Sequence, residues 1–341
     1  MKFGPVPPPE AIGAISAHSV RSGALAIRKG RMLTRADVDA LMAAGLREIV
    51  VARLEDGDVG EDVAALRLAD TSAGPNVRVE KPFTGRANIF AAHDGILVVD
   101  RARIDAVNDV DESLTIATLA AFKPVVTGEM IATVKVIPYA VAGAVLDAAV
   151  AATAGGCATV DVRRYRVSRV GVVSTLTPGH KPATVAKTLR ALEARLAPAG
   201  ARVIAQDTSA HEPGELTAHL RRQADGEAEI IVVFGASAIA DRRDVIPAAI
   251  DAAGGEIEHF GMPVDPGNLL LVGRIGGKPV IGAPGCARSP KENGFDWVLQ
   301  RLLAGLAVTR QDVARMGVGG LLMEIGSRGQ PRAGGEPTDD P

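Results

Sequence analysis

Residues able to do chemistry gather in four loops of the second half of this chain. The first runs Phe234-Gly235-Ala236-Ser237-Ala238-Ile239-Ala240-Asp241-Arg242-Arg243-Asp244 and leads out of an apolar run into a helical pattern. Small side chains let a backbone approach a ligand. A helix N-terminus adds unpaired N–H groups and the positive end of its dipole, so the combination suits phosphate. The same residues also suit a plain tight turn, with Asp244 as a first-turn partner of the dipole. The second loop is Gly282-Ala283-Pro284-Gly285-Cys286-Ala287-Arg288-Ser289-Pro290-Lys291. Here Ser289 is expected to cap a helix that has Pro290 at its first position. Gly285 permits positive φ or close approach. Arg288 and Lys291 are either phosphate partners or solvated charges, and Cys286, with no evident partner histidine, is read as structural.

The third loop, Ser174-Thr175-Leu176-Thr177-Pro178-Gly179-His180-Lys181, offers hydroxyls and a lysine to an anion, with His180 read as a loop histidine. The fourth, Gln206-Asp207-Thr208-Ser209-Ala210-His211, places Asp207 directly after a strand. Asp207 and Asp244 would then share one sheet edge, where two carboxylates can hold Mg²⁺ against a nucleotide or a metal oxyanion. Alternatively Asp207 forms an Asx turn and Asp244 caps a helix.

Elements able to position these loops alternate regularly. Strands are expected at 169–174, 201–206 and 230–234, and helices at 183–196, 213–224, 243–253 and 294–303. A hairpin is expected from 269–272 and 279–281 around Gly276-Gly277. Such alternation predicts an α/β domain whose mostly parallel sheet is covered on both faces. Ligands of such sheets sit at the carboxyl ends of the strands, so the loops after Ser174, Gln206, Phe234 and Ile281 are expected to line one site. The first half reads as a smaller α+β region. Thr34 caps a helix carrying Val38, Leu41, Met42 and Leu46, a strand follows at 48–52, and 64–69 is a short helix. Further strands fall at 24–27, 95–100, 114–117 and 130–137, with a helical turn at 104–110. The expected organisation is an N-terminal region of uncertain role at 1–160, the α/β domain at 166–310 with a hinge at 154–162 before it, and a disordered tail at 326–341.

Composition narrows the function classes. Aromatics make up 3% of the 341 residues, which disfavours a stacking platform for single-stranded nucleic acid. A net charge of −2 shows none of the basic excess expected of a nucleic-acid binder. Two cysteines are too few for a disulfide framework or a zinc cluster. The apolar stretch at 137–157 is rich in Ala and Gly and carries Asp147, so it is expected to be a helix at 141–153 rather than a membrane span. A soluble, cytoplasmic protein is the expectation.

The four loops, in this order, resemble the molybdopterin-binding domain shared by the enzymes of molybdenum-cofactor biosynthesis, a family that includes molybdopterin adenylyltransferases and molybdopterin molybdotransferases. The resemblance covers about 166–306. It rests on Ser174-Thr175 ending the first strand, Asp207 after the second, the Gly235 loop running to Arg243-Asp244, Asp265-Pro266-Gly267 before the hairpin, and Gly282-Ala283-Pro284-Gly285. It implies a three-layer α/β fold, Asp207 and Asp244 as catalytic and Mg²⁺-handling groups, and ligand contacts from Ser174, Thr175, Gly235, Ala236, Ser237, Arg243, Pro266, Gly267, Pro284, Gly285, Arg288, Ser289 and Lys291. The ligand or substrate implied is molybdopterin, with ATP or molybdate as co-substrate, in adenylylation or metal insertion. A non-catalytic pterin carrier or regulatory binder is the alternative, and a generic nucleotide-binding protein a second. Self-association as a dimer or trimer is implied, and a nucleotidyltransferase or molybdoenzyme partner would be a separate chain. Departures from the family pattern include Ala236 for a second glycine, Ile246 and Ala248 for Thr and Glu, and Asp265 for a lysine. Asp265 weakens phosphate binding unless Arg288, Lys291 or Lys278 compensates. Residues 33–51 are similar to a segment of the molybdotransferase branch.

Overall fold

The computed structural model describes residues 1–23, 25–179 and 182–322. The expectations for His180, Lys181 and the tail at 326–341 fall outside them. The chain divides into two compact units, Met1–Arg164 and Tyr165–Pro341.

In the first unit, Lys2–Val6, Ile49–Arg53 and Ile15–Ser16 form a small antiparallel sheet beside the helix Arg35–Ala43. Thr34 caps that helix through a reciprocal box with Asp37, as its sequence predicts. A second layer orders Leu114–Thr118, Met130–Val136, Arg86–Ala91 and Val77–Val79 in one sheet. Leu68, Ile89, Leu114 and Leu146 belong to its core. The expected helix at 64–69 extends over Glu61–Ser72, because its small residues Ala64, Ala65 and Ala69 pack flush in that core. The expected hinge contains a strand, Val160–Arg164, paired with Gly95–Val99. Residues 141–153 hold the helix Gly143–Ala152, and no helix among the described residues is long and apolar enough to cross a membrane.

The second unit is a doubly wound sheet. Its elements are β1 (Arg169–Leu176), α1 (Pro182–Leu196), β2 (Arg202–Ala210), α2 (Pro213–Asp225), β3 (Ile230–Phe234), α3 (Val245–Ala252), β4 (Glu256–Phe260), β5 (Leu271–Ile275), β6 (Lys278–Ala283), α4 (Gly294–Leu303) and α5 (Arg310–Ala314). The strand order is β2-β1-β3-β6-β5-β4. The first four are parallel, β5 runs antiparallel to β6, and β4 antiparallel to β5, so that β5 alone is reversed. All five residues of β3 are buried, as expected for a central strand with both faces covered. On one face Val172, Phe234 and Ile281 pack with Leu192 of α1 and Phe295 of α4. On the other, Val173, Val233 and Val280 pack with Leu216 and Leu220 of α2 and Ile250 of α3. Each large apolar side chain so buried contributes about 1.5–3 kcal/mol.

Besides β1 and β2, which run on to Leu176 and Ala210, two elements differ from expectation. The strand β4 is not expected from the sequence; it is a short polar edge strand, and the alternation Glu256-Ile257-Glu258 is broken at His259, where the pairing with β5 shifts register. The last long helix is capped by Asn293 rather than Ser289. Asn293 accepts from Phe295 N–H while its own N–H donates to Asp296, a closed capping box that Ser289 and Pro290 precede.

Candidate functional site

The carboxyl edge of β1, β3 and β6 carries a connected set of polar groups. Ser174 and Thr175 lie in β1 just before its last residue, Leu176, and are 3% and 1% exposed. Because side chains alternate along a strand, they point to opposite faces. Thr175 Oγ1 accepts a hydrogen bond from Ala236 N–H at 2.8 Å and lies 2.8 Å from His211 Nδ1. His211 Nε2 lies 2.9 Å from Ser237 Oγ, and Ser237 is exposed. One chain of hydrogen bonds thus joins the ends of β1, β2 and β3.

Ser174 pairs in register with Phe234 and shares its face. Its hydroxyl is buried and has no partner among the described residues. The guanidinium of Arg288 stacks 5.6 Å above the Phe234 ring, donates to Gly235 C=O at 2.7 Å and to Thr188 Oγ1 at 3.1 Å. None of those partners carries a negative charge. Burial depresses the Arg288 pKa from its ordinary value, yet a guanidinium stays protonated in proteins. Among the described residues, then, the face that carries Phe234 holds a half-buried cation whose partners are neutral and a buried hydroxyl that has none.

A second arginine holds the loop after β6. Arg195 of α1 is 8% exposed, pairs with Asp296 at 2.5 Å, and donates to the carbonyls of Ala287, Ser289 and Lys291. Its place in an amphipathic helix reads as a solvated charge, so nothing in the sequence singles it out.

Glycines of the two loops differ in what they do. A Cβ on Gly235 would stand 2.6 Å from Ser237 C=O, so that glycine lets the turn close on itself. Gly285 has open space around it and sits in a short 3-10 turn that the carbonyl of buried Pro284 begins. A Cβ on Gly267, at φ +143, would stand 2.8 Å from the backbone of Gly294, and Pro266 C=O accepts from Gly294 N–H. Pro266 and Gly267 therefore brace the start of α4.

The expected carboxylate pair does not form. β2 continues past Gln206 through Asp207 to Ala210, in register with Val173 to Leu176 of β1, so Asp207 lies inside a strand. Its side chain faces α2, accepts from Arg222 at 2.8 Å and Gln223 at 2.9 Å, and lies 3.6 Å from His219. Burial raises its pKa, but the bonds from Gln223 and Arg222 outweigh that and hold it below the ordinary carboxylate value. Asp244 caps α3 and accepts from Val245 and Ala240 N–H. Both carboxylates are spent on protein donors, and among the described residues no cluster of His, Cys, Asp and Glu suits a metal ion. These side chains do not fit the Mg²⁺ site expected of them.

The remaining candidates scatter. Arg243 is 92% exposed and pairs with Asp241. Ser289 Oγ accepts from Lys291 N–H at 3.3 Å, and Lys291 is exposed. Lys278 opens β6 at the opposite end of the sheet, where it donates to Gly226 C=O, so it cannot offset Asp265. Burial raises the Cys286 thiol's pKa, which opposes a nucleophilic role.

Fold and edge together define a doubly wound α/β domain with a hydrogen-bonded polar cluster at the carboxyl ends of its strands. Residues 172–316 match the family described as "Probable molybdopterin binding domain", so the second unit carries a domain of the molybdopterin-binding family. Residues 5–53 match a "Domain of unknown function (DUF8806)". No curated protein matches the chain. Similar solved structures include the molybdopterin biosynthesis MoeA protein from Pyrococcus horikosii, 15% identical, covering 89% of this chain and 75% of that one with a TM-score of 0.32. A molybdenum cofactor biosynthesis protein from Pyrococcus furiosus is 11% identical, covering 90% of this chain and 66% of that one with a TM-score of 0.26. Molybdenum cofactor biosynthesis protein B is 16% identical over 41% of this chain and 95% of that one, with a TM-score of 0.30. At these scores the similarity assigns no activity.

Proposed function

We propose that this protein binds molybdopterin at the carboxyl edge of β1, β3 and β6, its phosphate seated on Arg288 and the Ser174 hydroxyl. The observation that carries this reading is that, among the described residues, the half-buried Arg288 guanidinium over Phe234 has neutral partners only and the buried Ser174 hydroxyl, in register with Phe234, has none. The family match supplies the pterin. Binding without Mg²⁺-dependent adenylylation is the form the side chains favour, because Asp207 and Asp244 are both spent on protein donors.

Calorimetric titration with molybdopterin, with and without Mg·ATP, tests this. Wild-type protein is expected to bind with an affinity indifferent to Mg·ATP and to yield no adenylylated product. Arg288→Gln keeps a donor for Gly235 C=O but removes the charge. It is expected to bind about 10- to 100-fold more weakly, the roughly 1.5–3 kcal/mol of a hydrogen bond to a charged group. Equal affinity in a folded Arg288→Gln variant removes Arg288 from the site. An adenylylated product replaces the binder with a transferase.

A further inference from the structure

The hydrogen-bond chain Thr175–His211–Ser237 has a direction that its geometry determines. Thr175 Oγ1 is 1% exposed and already accepts from Ala236 N–H. Its hydroxyl hydrogen needs an acceptor, since buried hydroxyls go unpaired at a cost. Among the described residues its one other partner is His211 Nδ1, at 2.8 Å. A Thr175 O–H that donates to Nδ1 leaves the neutral ring protonated on Nε2. Nε2–H then donates to Ser237 Oγ across 2.9 Å. The Ser237 hydrogen, freed of the ring, turns to the exposed side.

Resting on the molybdopterin reading above, we infer that His211 is a positioning residue: fixed by Thr175 as the Nε2–H tautomer, it orients the Ser237 hydroxyl as a donor to a phosphate oxygen of the ligand. The opposite polarity would have Nε2 accept from Ser237 and activate it as a nucleophile. That arrangement strands the Thr175 hydrogen in a buried place. Sequence reading passes over His211 because only the fold brings it between two loops.

Nitrogen-15 spectra of the apoprotein at about pH 9, well above the ordinary imidazole pKa of about 6.5, read the tautomer directly. The His211 signals are assigned by their loss in His211→Gln. A bare Nδ1 and a protonated Nε2 are expected, and a proton on Nδ1 overturns the inference whatever the ligand does. In molybdopterin titrations Ser237→Ala and His211→Ala are each expected to lose about fivefold in affinity, the effect of one neutral hydrogen bond. The double variant should lose no more than either, because the two act as one unit. His211→Gln, whose amide can donate from the Nε2 position, is expected to restore near wild-type affinity. Unchanged affinity in Ser237→Ala, with Arg288→Gln still weakened, overturns the inference and leaves the binding reading standing. A wild-type protein that binds no molybdopterin overturns that reading and removes Ser237's ligand, and the ring spectrum still decides the tautomer.

Discussion

Two guanidiniums at the loop after β6 are held differently. Arg195 is nearly buried, neutralised by Asp296, and its donors are spent on three loop carbonyls and one in its own helix. Arg288 is only half-buried, and among the described residues a ring, a hydroxyl and one carbonyl are all it has. Burial of a charge therefore does not mark function. Whether the surroundings cancel the charge does: the Arg195 side is closed and holds the loop in shape, while the Arg288 side keeps an uncancelled positive charge where the strands end.

Breaking the closed side gives the largest expected effect. Arg195→Met leaves the buried part of Asp296 without its cation, and removing one partner of a buried pair costs about 3–5 kcal/mol. Urea unfolding would show it as a lowered midpoint with an unchanged slope. A loss below about 1 kcal/mol, the range of exposed pairs, would mean that the two sides do not differ as described.

The open side predicts the opposite sign. An unpartnered buried hydroxyl costs about 1–3 kcal/mol of desolvation. Ser174→Ala removes that hydroxyl and should raise the stability of the ligand-free protein by about 1 kcal/mol, while molybdopterin affinity falls several-fold. Stability measured by urea and affinity measured by calorimetry would then move in opposite directions. A variant that loses stability and keeps affinity would show that Ser174 is bonded in the free protein, and the contrast with Arg195 would fail.

Much of the second unit was legible in sequence, and the reasons are local. The continuous apolar run Ile230–Phe234 and the bounds of Gly294–Leu303 agree with the structure because burial is written in neighbouring residues, although the sequence pattern puts the cap of that helix at Ser289 and the structure at Asn293 with Asp296. β2 ran longer than expected, since the polar run Asp207-Thr208-Ser209 breaks the apolar pattern on an edge strand. That extension moves Asp207 from the loop into the sheet. Gly235 and Gly285 look alike as letters, yet only the first faces a backbone carbonyl that excludes a Cβ. Arg195 and His211 escaped notice because their roles depend on partners as many as 101 residues away.

Asp207 gives the smallest expected effect and the finest separation of the two kinds of site. Its partners are a buried Gln223 and an Arg222 that is 60% exposed, so water screens the ion pair. Its folded pKa lies below the ordinary carboxylate value. A depressed carboxylate stabilises the fold above its unfolded pKa of about 3.9, and that stability disappears as pH falls through the folded value. Asp207→Asn should therefore be less stable than wild type by no more than about 1 kcal/mol at neutral pH. The gap should narrow below about pH 4, as wild-type Asp207 takes up its proton. Molybdopterin affinity at neutral pH should stay within about twofold, less than the loss of one neutral hydrogen bond. A tenfold loss would return Asp207 to the ligand site and make the cluster around Arg222 part of it, whereas a pH-dependent stability gap with intact binding means this carboxylate serves the sheet alone.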